Sequence, residues 1–141
     1  MDLREISDRM EINELLARYC HALDRQDWPA YRALFTPDAK MDFAAFGGPV
    51  GSVADVEAHL RPTLESLKTS EHVSTTVIID LDGDTAQARS AAIVPLTAAT
   101  PDDGEHTTFA GLFYEDELTR TAEGWRICAR TQVRAFMHNI A

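Results

Sequence analysis

Asp24 is the residue whose type and position first suggest chemistry in this chain. Within Glu5–Arg25, the residues Ile12, Leu15, Leu16, Tyr19 and Leu23 recur at three- and four-residue steps, a spacing that predicts one apolar face of an α-helix. Glu11, Glu14, Arg18 and Arg25 occupy the other face. Asp24 falls in the last turn, on the apolar side and one turn beyond Cys20. The carbonyl end of a helix carries partial negative charge, so a carboxylate there needs a partner. Either the chain supplies one, or Asp24 is a solvated acid at a fraying helix end.

Other chemistry-bearing residue types give no such signal. Cys20 and Cys128 belong to no CxxC or Cys/His cluster, which predicts two small buried hydrophobes in a reducing compartment. His21, His59, His106 and His138 show no metal-ligand spacing with each other or with acids, so solvent or backbone contact is expected for all four. The sequence holds no glycine-rich phosphate loop, HExxH or GxSxG, which argues against a nucleotide cofactor, a metal and a covalent nucleophile.

These residues must be held by one domain of 141 residues (1–141), long enough for a core and one enclosed pocket. The net charge of −10 repels phosphate backbones and anionic lipid, so neither nucleic acid nor membrane is an expected partner. The start, Met1-Asp2-Leu3-Arg4-Glu5, has acid where a signal peptide needs a basic start, and no run approaches the roughly 18 apolar residues of a membrane span. A cytoplasmic protein is expected.

After the first helix, Asp27 is a good N-cap for a short helix over Trp28–Phe35, with Pro29 in its first turn. Thr36-Pro37-Asp38 should stop it, and Ala39–Phe46 reads as a short strand. Ser52, with Asp55 as capping-box partner, starts a third helix striped by Val53, Val56, Leu60, Leu64 and Leu67; Pro62 should kink or split it. From Thr69 the period becomes extended. Val73–Leu81, Thr85–Ala98, Glu105–Thr119 and Trp125–Phe136 read as long strands, with a hairpin turn at Asp82-Gly83-Asp84 and a break or edge near Pro95. Three helices followed by antiparallel strands imply an α+β fold: a strongly curved antiparallel sheet wrapped around N-terminal helices, closing a cone with a pocket inside. Apolar residues on both strand parities, Phe109 and Phe113 against Leu112 and Tyr114, predict self-association as a dimer or trimer.

Several of these segments also resemble a known family. They are Tyr19-Cys20-His21-Ala22-Leu23-Asp24, Asp27-Trp28, Leu34-Phe35, Asp82-Gly83-Asp84-Thr85-Ala86, Phe113-Tyr114-Glu115-Asp116-Glu117-Leu118 and Gly124-Trp125-Arg126-Ile127. Together they are similar to a SnoaL-like domain of the nuclear transport factor 2-like superfamily, over nearly the whole chain, which implies a cone-shaped α+β barrel of the cystatin-like kind. Within the superfamily the chain looks most like scytalone dehydratase, the bile acid 7α-dehydratases and hexachlorocyclohexane dehydrochlorinase, which are cofactor-free lyases with a His–Asp pair. The resemblance places that aspartate at Asp24, the histidine at His72 and the dehydratases' tyrosine at Tyr19. It places a pocket arginine at Arg130 by the dehydrochlorinase pattern, or at Arg134 by the bile acid dehydratase pattern. The dehydrochlorinase's first-helix lysine is replaced here by Tyr19, which points away from halide elimination.

If the resemblance holds, His72 is a general base oriented by Asp24, Tyr19 donates to the developing oxyanion, and Arg130 or Arg134 offsets negative charge. Trp28, Phe43, Phe46, Phe113 and Tyr114 are candidate pocket lining. The expected activity is a cofactor-independent lyase of the dehydratase type acting on a small apolar or polycyclic molecule. The alternatives are an isomerase of the ketosteroid type, a polyketide cyclase, a non-catalytic binding or oligomerisation domain, and a partner subunit like the β subunit of ring-hydroxylating dioxygenases.

Overall fold

The computed structural model describes residues 1–140. Helix α1 spans Leu3–Asp24, capped by the Asp2 carboxylate, which accepts from the Glu5 N–H. Its apolar stripe is buried as spaced, with Ile12, Leu16, Tyr19 and Leu23 almost inaccessible. Helix α2 is Trp28–Arg32, capped by Asp27. It ends a turn earlier than the sequence pattern suggests, because Phe35 already begins strand β1, Phe35–Asp42. Pro37 lies within β1, in a stretch where the register against the neighbouring strand shifts, so its missing N–H costs no regular ladder bond. Residues Ala44–Phe46, expected as strand, form a short 3-10 turn ended by Gly47 at φ 81°. Strand β2 is Val50–Gly51.

Helix α3, Val53–Ser66, opens with the full capping box of Ser52 and Asp55. It runs through Pro62 without splitting. The carbonyl deprived of its bond belongs to Ala58, which is exposed, where water can serve it. Strands β3 (Thr69–Ser70), β4 (Val73–Asp82), β5 (Thr85–Ala99), β6 (Glu105–Thr121) and β7 (Gly124–His138) complete the chain.

The strands form one curved open sheet in the order β2-β1-β7-β6-β5-β3, with β4 also on β5. Pairing is antiparallel except between β1 and β7. The helices cover the concave face, so inward residues alternate with outward ones: Leu112, Tyr114, Asp116 and Leu118 of β6 are buried, whereas Glu115 and Glu117 are exposed. Arg120 ties α1 to this sheet. It donates to both oxygens of Asp8 at 2.8 Å, and the Trp125 indole donates to the same carboxylate at 3.0 Å. That arginine holds the Asp8 carboxyl below the usual aspartate range. No helix among the described residues is long and apolar enough to cross a membrane.

Strand β5 is continuous through Pro95, where a break or an edge was expected, and on the β3–β4 side Pro95 is left unpaired in the ladder. Pro95 stands opposite the gap between β3 and β4, and its carbonyl accepts from the Glu71 N–H at 3.1 Å. Its absent N–H therefore falls where the ladder is already interrupted. The same gap releases His72 from the sheet.

Candidate functional site

His72 sits in that gap between Ser70 and Val73. Free of the ladder, its backbone N–H donates to Asp24 Oδ2 at 2.8 Å, and its ring Nδ1 lies 2.6 Å from Asp24 Oδ1. Ser70 Oγ donates to the same Oδ1 at 2.9 Å. One carboxylate at the end of α1 thus fixes both main chain and imidazole of a residue 48 positions away. Burial alone would raise the Asp24 carboxyl, but the ring and backbone bonds from His72 and the bond from Ser70 outweigh it and hold the acid below its ordinary value. An ionised carboxylate can only accept, so Nδ1 carries the proton and Nε2 presents a lone pair.

His72 lines a cavity of about 370 Å³ between α1, α3 and the concave face of the sheet. Leu60 and Leu64 of α3, Val94 and Leu96 of β5, and Leu112 of β6 make its walls largely apolar. The polar groups are few: Tyr19, Tyr114, His72, Gln132, His59 and Thr63. Tyr19 meets His72 edge to face, with ring centres 6.4 Å apart, and meets Tyr114 at 5.6 Å. Its hydroxyl is buried beside Tyr114 and makes no hydrogen bond of regular geometry. Burial, the largest influence, pushes both phenols up, so they stay protonated donors.

The expected lining residues divide. Phe43, Phe46 and Tyr114 border the cavity. Trp28 is core instead, packed on Tyr31 and beneath the Arg61 guanidinium. Phe113 has the opposite strand parity to Tyr114 and stacks under Arg89 away from the cavity.

The two arginines divide as well. Arg130 is buried at 1 % exposure, stacked on the Tyr19 and Tyr114 rings with its Cζ 4.1 and 3.7 Å from their centres. It donates to both oxygens of buried Asp116, at 2.7 and 3.2 Å. Burial opposes its charge, but Asp116 more than offsets this and raises the guanidinium above its ordinary value. It therefore lies behind the phenols and does not line the cavity. Arg134 is exposed and also absent from the lining. Just beyond it, a register shift separates the pairs Leu112–Arg134 and Gly111–Phe136.

His59 is exposed, in line with the solvent or backbone contact expected for it, and it also borders the cavity, which sequence reading did not anticipate. The signal was present: His59 and Thr63 are spaced four apart and flank the Val56–Leu60–Leu64 stripe. No group of three or more metal-ligating side chains converges among the described residues.

The surrounding fold has close counterparts. A structure from Novosphingobium aromaticivorans, named as a candidate scytalone dehydratase, superposes with a TM-score of 0.85 at 16% identity, covering 97% of this chain and 90% of that one. A hexachlorocyclohexane dehydrochlorinase of type 2 superposes with a TM-score of 0.83 at 13% identity, covering 100% and 94%. An uncharacterized protein of Mycobacterium tuberculosis is 35% identical over 136 residues, which are 96% of this chain and 91% of the relative. The model of the SnoaL-like domain matches residues 4–131. On that match, the chain belongs to the SnoaL-like domain family.

Proposed function

We propose that this protein is a cofactor-independent lyase of the dehydratase type. His72 Nε2 removes a proton from a carbon beside an activating carbonyl. Asp24 orients the imidazole and stabilises the imidazolium that forms. Tyr19, with its buried hydroxyl, donates to the oxygen on which negative charge develops. The C–O bond to the β-hydroxyl then breaks, and the hydroxide leaves as water with the proton that His72 took from carbon, which returns the imidazole to its neutral form. The observation that carries the reading is the 2.6 Å contact between His72 and Asp24 at the wall of an apolar cavity. A base near neutral pH needs such an arrangement: a fixed tautomer, a nearby charge partner and little competing water. Membership of the SnoaL-like family, and the fold held in common with proteins named as a dehydratase and a dehydrochlorinase, support an elimination. We also read the outer sheet face as a contact between copies of this chain, supported by the exposure there of Ile78, Ile93 and Phe136.

The test is a panel of apolar β-hydroxyketones incubated in D2O and followed by mass spectrometry. The expected result is loss of water from at least one member, abolished in His72→Ala. Deuterium uptake or a double-bond shift without loss of water would assign the same base to an isomerase. Equal behaviour of wild type and His72→Ala across the panel would remove the enzymatic reading and leave a binding domain.

A further inference from the structure

The cavity contains no formal charge. Among the described residues that line it there is no Lys, Arg, Asp or Glu. Two sets of fixed charge lie just behind the lining: the Asp24 carboxylate, bonded to His72, and the Arg130–Asp116 pair, which face each other in a two-point contact behind the tyrosine rings and cancel at a distance. An anionic ligand entering here would leave water without gaining a cation in contact. One donor on the lining lacks a hydrogen bond of regular geometry, the hydroxyl of Tyr19, itself 1 % exposed; Nη1 of Arg130 also lacks one but lies behind the rings. A buried donor without an acceptor is costly, and a ligand oxygen relieves that cost. Tyr114 stands edge-on to Tyr19, and its cross-strand partner is Gln132, which also lines the cavity.

We propose that the cavity selects uncharged molecules carrying a carbonyl oxygen, which the Tyr19 and Tyr114 hydroxyls bind, and that Asp116 is a positioning residue which enforces this selection by neutralising Arg130. The inference rests on reading this cavity as the substrate site but not on the His72–Asp24 chemistry. Neutralisation is the essential part. Burial pushes the Asp116 carboxyl up and the Arg130 guanidinium pulls it back; held in that two-point contact, the guanidinium stiffens and polarises the two phenols without drawing in anions. Without Asp116 the same guanidinium becomes a buried, unopposed positive charge behind the two phenols that hold the ligand oxygen.

Three naphthalene probes of similar size separate the contributions: 2-acetonaphthone (ketone), 2-naphthoate (carboxylate) and 2-ethylnaphthalene (hydrocarbon). Calorimetric titration should show the ketone binding about tenfold more tightly than either of the others, a factor in line with one satisfied buried donor. Tyr19→Phe should remove the ketone's advantage over the hydrocarbon and leave the hydrocarbon's affinity unchanged. The carbonyl stretch of bound ketone should shift to lower frequency in wild type, less in Tyr114→Phe and least in Tyr19→Phe. Asp116→Asn should gain affinity for naphthoate relative to the ketone, an inversion that a purely structural role would not produce. If Asp116→Asn does not fold, the Tyr19→Phe comparison and the stretch frequencies decide alone. Wild type that prefers the ketone probe but releases water from no β-hydroxyketone would remove the catalytic reading and leave this one intact. Naphthoate binding as tightly as the ketone to wild type, or the ketone binding no better than the hydrocarbon, would overturn the proposal.

Discussion

Asp24→Asn exchanges one acceptor oxygen for an NH2 group at nearly constant volume, and it should reverse the tautomer of His72. In the native arrangement the carboxylate accepts from the ring Nδ1–H, from the His72 backbone N–H and from Ser70 Oγ. An Asn can keep its carbonyl toward the backbone donor. Its NH2 must then face Nδ1, and two donors would collide at 2.6 Å. The imidazole resolves this by moving its proton to Nε2, so that Nδ1 accepts. The lone pair is then withdrawn from the cavity, and a base that depends on it should lose roughly 10⁴ in rate. The stability change is smaller. Two charge-assisted bonds from His72 become neutral ones, each weaker by about 1 kcal/mol, and relief of a half-buried charge returns part of that, leaving a loss of about 1–2 kcal/mol. Long-range 1H–15N correlation spectra of histidine-labelled protein report the tautomer directly, and urea denaturation reports the stability. A variant that keeps the proton on Nδ1, or that matches wild type in stability, would refute the reasoning.

Acid should destabilise the fold through Asp8 and Asp24. Both carboxyls sit below their ordinary value in the folded state, so their contribution is fully present above the unfolded value of about 3.9 and is lost as pH falls through the lower folded value. Arg120→Met should flatten that dependence, as measured by urea midpoints between about pH 5 and pH 2. Ala110→Phe adds a ring to the cavity wall and should weaken binding of an apolar fluorescent reporter about tenfold or more without changing the far-ultraviolet spectrum. Sedimentation velocity should detect an oligomer that Ile93→Lys with Phe136→Lys converts to a monomer, because both side chains lie half exposed on the sheet. Ser52→Ala removes the α3 cap and should cost about 1 kcal/mol by chemical denaturation.

Much of this arrangement was legible in the residues, because it depends on local rules. The α1 stripe, the Asp27 and Ser52 caps and the Asp82–Asp84 turn are each set by a few neighbours. What was illegible depends on distant partners. Whether Pro95 breaks β5 depends on the gap between β3 and β4, which lies across the sheet. Whether Phe113 or Tyr114 faces inward follows from which side the helices cover, and alternation permits only one of them. Strand parity carried Arg130 and Arg134 together, but it says nothing of depth. One is sealed behind two tyrosine rings and the other lies near a register shift in the solvent. The pairing of Asp24 with His72 came from the family resemblance. No spacing rule links residues 48 positions apart.

The origin of the walls has a consequence for how such a protein diversifies. Asp24 and His72 belong to the end of α1 and a two-residue gap in the ladder, whereas the apolar walls come from α3, β5 and β6. Exchanging Leu60, Val94 or Leu112 would recontour the chamber while the acid and the imidazole keep their bond. Descendants of one ancestor can therefore adopt new small molecules by resurfacing a lining, with the reactive machinery inherited unaltered.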